Sequence, residues 1–446
     1  MWIIGGLMNF INKFFKLEEH GTNVKTEILA GITTFLTMAY ILVVNPAMLS
    51  ETGMPAQSVF LATALSAAFA TLMMGIVANF PVGLASGLGL NAFFTYNLVI
   101  IGGYSWEAAL AAVFVSGILF LIVSVTGLRK KFIGAIPKNL RIAISLGIGG
   151  FITFIGLQNA GIIVANEATL VGIGNLTSPP VVLAIVGIFI TFVLFSRKVN
   201  AAVFYGLIST AVIGVIAGLF GVAGMPQLPT AIASVNFDFT VFGGFIRGFG
   251  ELFTKPGILV VLFTLVFLDL ADTTGTLLAV AGIAGLTDED GEVENIEKAL
   301  IVDSVGTVVG SMMGTSTVTS FLESCSGTAS GGRTGLTAVS TAFMFLLSVF
   351  FFPLLSVITP AVTSAALISV GVLMFQQAAD IEWSDFSVAA SSFITIIVMI
   401  TSYSIAEGIA AGFIVHGVTK AFSGKHKDVD LTTWILIAIF ILYFIL

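Results

Sequence analysis

Two carboxylates, Asp269 and Asp272, stand near the middle of an apolar run from Gly257 to Leu286 that carries no other charge. A helix needs roughly 20 apolar residues to cross the hydrocarbon core, so this run is long enough to span a membrane and Asp269 falls close to the midplane. An acid at that depth costs about 2.5 to 3.5 kcal/mol on insertion scales, and an intramembrane carboxylate therefore points to a substrate or proton site. Asp269, Asp272, Thr273 and Thr276 recur at i, i+3, i+4 and i+7, which puts them on one helical face and predicts that this face lines something wet. The competing reading is that the acids only hydrogen-bond to neighbouring helices. Two further polar residues stand in stretches too rich in Gly, Ser and Thr for plain helices: Asn91 within PVGLASGLGLNAFFTY and Glu323 within GSMMGTSTVTSFLESCSGTASGG. Asn91 offers both a donor and an acceptor to a ligand edge. Phe94, beside it, is a candidate stacking surface for a flat ligand, although with 40 Phe in the chain packing competes as its role. Ser320 and Glu323 have the spacing of a capping box; at mid-membrane a capping Glu would still face the cavity.

Other polar residues read as structural. Ser404 and Glu407 show the capping spacing at the start of a span, Asp303 lies about one turn inside a span that begins at Lys298, and His416 reads as a helix-end histidine. Cys325 is the single cysteine, so no intrachain disulfide is available and no metal-ligand spacing surrounds it. Neither a metal nor a cofactor is expected. Asp269 and Asp272 share one turn of one helix, whereas an intramembrane aspartyl protease places an acid on each of two, so an enzyme is not expected either.

These residues have to be positioned by a membrane bundle. Hydrophobic residues make up 57% and charged residues 9% of the 446, with mean hydropathy +1.10, which excludes a water-soluble globular domain. The net charge of -7 sits mostly in loops and argues against a nucleic-acid partner. The N-terminal segment, 1–20, carries Ile3, Ile4, Leu7, Ile11, Phe14 and Phe15 at helical spacing and is expected to lie in the interface. Apolar spans follow near 26–48, 57–80, 85–101, 107–128, 140–163, 180–196 and 201–221, then near 257–286, 299–313, 315–332, 335–356, 360–377, 386–402 and 404–421. With a cytoplasmic N-terminus, every Lys and Arg of the 17 falls on the cytoplasmic side except Arg247 and Lys255. The expected fold is thus an all-α polytopic membrane protein of 14 spans. Two sets of seven can be related only by an inverted repeat, a frequent plan of secondary transporters whose site lies where matching spans are broken; spans 3 and 10 are the broken ones here.

The motifs TTFLTMAYILVVNP (Thr33 to Pro46), GLGLNAFF (Gly87 to Phe94), FLDLADTTGT (Phe267 to Thr276) and SFLESCSG (Ser320 to Gly327) together resemble the AzgA-like purine permeases of the nucleobase-cation symporter-2, or nucleobase-ascorbate, group. The resemblance implies a core domain from 24–128 and 257–356 and a gate domain from 137–221 and 360–421; the residues themselves read as an extracellular linker at 222–256 and a further apolar segment at 432–446, which goes beyond the two sevens. The resemblance also implies proton-coupled uptake of adenine, guanine or hypoxanthine across the cell membrane by an elevator-like movement. The family's binding positions fall on Asn91, Asp269, Asp272 and Glu323; with Thr273 and Phe94 added from the residue reading, the expected substrate contacts are Asn91, Asp269, Thr273, Glu323 and Phe94, and the expected proton-coupling groups Asp269, Asp272 and Glu323. The partners are the purine, H+ and membrane lipid, and a homodimer is compatible with the plan without being required. The competing readings are a uracil or xanthine carrier and an anion carrier of the same fold; resident acids argue against the anion.

Overall fold

The computed structural model describes residues 2–126, 137–229, 231–254, 257–287, 293–425 and 429–445. The basic cluster at 129–131, Lys255 and Lys427 lie outside the described residues, as do residues 288–292 of the acidic loop. In chain order the elements are α1 (Trp2–Phe15), α2 (Val24–Met38), α3 (Ile41–Ser50), α4 (Ala56–Met73), β1 (Leu84–Ser86), α5 (Leu88–Ala92), α6 (Trp106–Val125) and α7 (Lys138–Asn159). A hairpin of β2 (Ile163–Asn166) and β3 (Leu170–Ile173) leads to α8 (Pro179–Ser196), α9 (Ala202–Leu219), α10 (Gly244–Leu252), α11 (Ile258–Ala284) and α12 (Ile296–Met313). The chain ends with β4 (Val318–Ser320), α13 (Ser324–Ala329), α14 (Gly335–Ser348), α15 (Pro360–Phe375), α16 (Phe386–Thr401), α17 (Ile405–Phe422) and α18 (Leu431–Ile445). Among the described residues ten helical stretches are long and apolar enough to cross a membrane, and Leu88–Ile101, Phe386–Thr401 and Leu431–Leu442 are shorter apolar helices. This is a mostly helical, polytopic membrane-type fold.

The two Gly/Ser/Thr-rich stretches are where it departs from plain helices. Each is a three-residue strand followed by a short helix, β1 with α5 and β4 with α13. Backbone groups freed inside a membrane protein must find partners within it, and here the two stretches satisfy each other. β1 and β4 pair antiparallel, with Leu84 opposite Ser320, Ala85 opposite Thr319 and Ser86 opposite Val318. Threonines close the outer edges: Thr71 of α4 accepts from Leu84 N at 2.8 Å and donates to Leu84 O at 3.0 Å, while Thr307 of α12 donates to Val318 O at 2.8 Å. The expected capping box is not formed. Ser320 is in β4 and its hydroxyl donates to Asp303 at 2.7 Å, and Glu323 itself occupies the N-cap position of α13 without a side-chain cap bond. The pairing of β4 with β1 holds Ser320 extended, so it cannot open a helix.

α14 packs on α2 and α4, and α12 on α4 and α6; separately, α7 packs on α15 and α16, and α8 on α9 and α15. The linker expected after α9 contains α10, which docks on α6: Arg247 lies over the Trp106 ring at 5.6 Å and pairs with Glu107 at 3.6 Å. Phe440 of α18 is buried between Phe413 of α17 and Phe263 of α11.

Buried Glu27 of α2 caps α14 from outside that helix. Its carboxylate accepts from Arg333 N at 2.8 Å, Thr334 Oγ1 at 2.9 Å, Thr337 N at 3.1 Å and Thr337 Oγ1 at 2.6 Å, at the end of the helix where its dipole favours an anion. Glu27→Ala leaves several buried donors unpaired, each costing about 1 to 3 kcal/mol. We expect a markedly lower melting temperature in detergent, with Glu27→Gln intermediate; an unchanged Glu27→Ala protein would show that this cap does not hold α14.

Candidate functional site

Four carboxylates gather around the β1–β4 crossing, in two environments. α11 supplies Asp269, Asp272 and Thr273 from one stretch, but only Asp272 is exposed; Asp269, Thr273 and Thr276 are buried. The expectation that the whole face is wet is corrected here, for a geometric reason. A step of three residues turns a helix about 300°, which sets Asp272 about 60° off Asp269, whereas steps of four and seven residues return closer to the starting direction. The face is accessible along its Asp272 edge, the wet layer of the reading, and buried along its Asp269–Thr273–Thr276 edge, the dry layer.

The dry layer joins α11 to α12 through β4. Asp269 is 2% exposed and its Oδ2 lies 3.0 Å from Thr307 Oγ1, whose one proton it shares with Val318 O, while its Oδ1 has no hydrogen-bond partner. Asp303 is 0% exposed, accepts from Ser320 through Oδ1, and its Oδ2 has none. Thr319 and Thr273 turn toward Asp269 and Asp303 respectively, but their close contact is with each other, at 2.8 Å. Asp303, read from the sequence as structural and able to reach the interface, is instead a fully buried neighbour of Asp269.

The wet layer holds Asp272 and half-buried Glu323, close enough for their charges to act on one another. Glu323 Oε1 accepts from Tyr40 OH at 2.5 Å, and the Glu323 backbone carbonyl accepts from Thr37 Oγ1 at 3.3 Å. Glycine permits the seat beneath it: a Cβ on Gly327 would come within 2.0 Å of Thr34 Oγ1, so α13 lies directly on α2. Tyr40 sits in an apolar motif and gave no chemical signal of its own.

Asn91 and Phe94 are both fully buried. Asn91 Oδ1 accepts from Ser316 Oγ, and its Nδ2 makes a long bond to Ser86 O at 3.5 Å. Beside it Asn45 Nδ2 donates to Thr63 at 2.7 Å and Thr315 at 2.9 Å, and Ser86 and Thr315 hydroxyls meet at 2.6 Å. Phe94 packs inside the main apolar core. The structure thus brings Asp272 and Glu323 together, sets Asp269 and Thr273 behind them in a dry layer, and leaves Asn91 at the strand crossing. Chemically, the exposed pair can accept N–H groups of a polar ligand, and the dry pair offers two unpartnered oxygens for a proton. Among the described residues no group of three or more His, Cys, Asp or Glu side chains could hold a metal ion.

Residues 25–411 match a family described as Permease family (Xan_ur_permease). The chain is 46% identical over 441 residues to the guanine/hypoxanthine permease PbuG of Bacillus subtilis, covering 97% of this chain and 99% of that one. It is 43% identical over 432 residues to the adenine permease AdeP of Escherichia coli, covering 97% and 95%. Among solved structures, the transmembrane domain of the cyanobacterial bicarbonate transporter BicA superposes with a TM-score of 0.63 at 16% identity, over 87% of this chain and 96% of that one. That likeness speaks to the fold alone.

Proposed function

For a chain that belongs to the Xan_ur_permease family, and within it to the AzgA-like purine permeases its motifs resemble, we propose secondary active transport of the purine nucleobases adenine, guanine and hypoxanthine into the cell, driven by H+. The observation that carries the reading is the paired β1–β4 crossing with an accessible carboxylate pair, Asp272 and Glu323, on one side and a dry pair, Asp269 and Asp303, on the other. A purine is apolar on its faces and ringed by donors and acceptors, so carboxylates suit its N–H edges. Asn91, Asp269, Thr273 and Phe94 complete the proposed substrate contacts, becoming accessible as the domains move. Asp269, Asp272 and Glu323 are the proposed coupling groups, with Asp303 added to them. Two like charges side by side in a dry layer are unfavourable, so the Asp269–Asp303 pair is the natural holder of a proton.

The plan that goes with this reading is 14 spans in two inverted sevens, with the N-terminus in the cytoplasm. The core domain comprises 24–128 and 257–356, and the gate domain 137–221 and 360–421. The core carries the site past the gate in an elevator-like stroke. The two packing groups of helices described above support that division. PbuG and AdeP, named for guanine/hypoxanthine and adenine transport, support the substrate class. An aspartyl protease is disfavoured because the acids that do come from two helices, Asp269 and Asp303, are closed to any peptide. Uptake of labelled adenine in cells expressing the chain, competed by hypoxanthine, guanine, xanthine and uracil, tests the substrate class. Competition by the first two and not by the last two is expected. Inhibition only by xanthine or uracil, or flux of sulfate or bicarbonate without purine uptake, would replace this reading by one of its rivals.

A further inference from the structure

The break between α2 and α3 places a phenol on the carboxylate assigned to substrate binding. α3 carries Pro46, which cannot donate to the carbonyl of Leu42, and at its start Leu42 N and Val43 N bond to Ala39 O and Tyr40 O at 3.2 and 3.1 Å, a tighter turn than the α-helix. Tyr40 stands at this break, buried, and its O–H donates to Glu323 Oε1. The backbone under Glu323 is already fixed by Thr37 and by the contact of Gly327 with Thr34. Its side chain makes no cap bond, and the one side-chain donor that meets its carboxylate is Tyr40. A glutamate has three rotatable bonds to settle, and ordering such a side chain carries an entropic cost. The bond from Tyr40 is the contact in the structure that settles them.

We propose that Tyr40 is a positioning residue: by holding Oε1 of Glu323 it leaves Oε2 as the acceptor presented to an N–H of the transported base. This rests on the reading of Glu323 as a substrate contact. The donated bond is charge-assisted and buried, the kind that contributes most to orientation.

The test is a double-mutant cycle on the full chain in proteoliposomes, reading KM and Vmax for labelled hypoxanthine, with melting temperature as the check on folding. Tyr40→Phe removes the donor and keeps the ring, and is expected to raise KM about tenfold with Vmax and melting temperature close to wild type. In the Glu323→Gln background, where Tyr40 can hold only a neutral amide oxygen, the same change should add less to KM than it does in the wild type, because partners in one interaction are not additive. Where Tyr40→Phe is not recovered folded, Tyr40→Leu takes its place with the same expectation. A wild-type KM in Tyr40→Phe, a KM that falls, or an effect that simply adds to that of Glu323→Gln overturns the positioning role while leaving Glu323 in the site. A wild-type KM in Glu323→Gln itself removes the substrate-binding reading, and the role of Tyr40 with it.

Discussion

Glu323→Gln is expected to weaken purine binding by roughly 10- to 150-fold, the range that corresponds to losing a hydrogen bond to a charged group. Gln keeps the length of the side chain and one acceptor, so the effect reports the lost charge together with the lost second acceptor. The carboxylate is half-buried, faces Asp272, and is oriented by Tyr40 OH at 2.5 Å. The amide puts a donor where one of two acceptors stood, opposite a ligand edge that also donates. Calorimetry with adenine or hypoxanthine on purified protein reads this directly, with expression and melting temperature as controls for misfolding of the bundle. Wild-type affinity in the folded variant would take Glu323 out of the site.

Asp269→Asn is expected to separate binding from accumulation. Asp269 lies behind the wet layer, with one oxygen held by Thr307 at 3.0 Å and the other unpartnered beside Asp303. Asn preserves shape and the bond from Thr307 but cannot ionise, so a proton can no longer be taken up and released there. Counterflow of labelled purine should continue with a weakened affinity, while accumulation driven by a proton gradient should be lost. Asp303→Asn should behave in the same way if the two acids act as one holder of a proton. Proton-driven accumulation at the wild-type level in Asp269→Asn would show that the coupling proton binds elsewhere.

Much of this arrangement was legible in the sequence because charge inside an apolar run is costly and so conspicuous. Asp269, Asp272 and Glu323 stood out for that reason, and the Gly/Ser/Thr-rich stretches around Asn91 and Glu323 marked the two places where strands replace helix. What was not legible depended on tertiary pairing. That β1 and β4 meet across more than 200 residues of chain follows from two sets of freed backbone groups finding each other, and that pairing overrode the local capping pattern of Ser320 and Glu323. Asp303 looked like an interfacial acid until α12 was seen to run beside α11. Tyr40 and Glu27 were invisible because a tyrosine in an apolar span and an acid at a span's start are both ordinary; only the partners they meet, Glu323 and the start of α14, give them roles. The fully buried positions of Asn91 and Phe94 belong to the same class, since helical spacing says which face a residue shares but not what covers it.

The most direct test of the account is accumulation of labelled hypoxanthine by purified protein in proteoliposomes after an imposed pH jump, acid outside, with and without a protonophore, run in parallel without Na+ and with it. The account predicts accumulation above the equilibrium level that the protonophore collapses. Accumulation that appears only with Na+ and survives the protonophore, or no purine uptake at all alongside sulfate or bicarbonate flux, would contradict it.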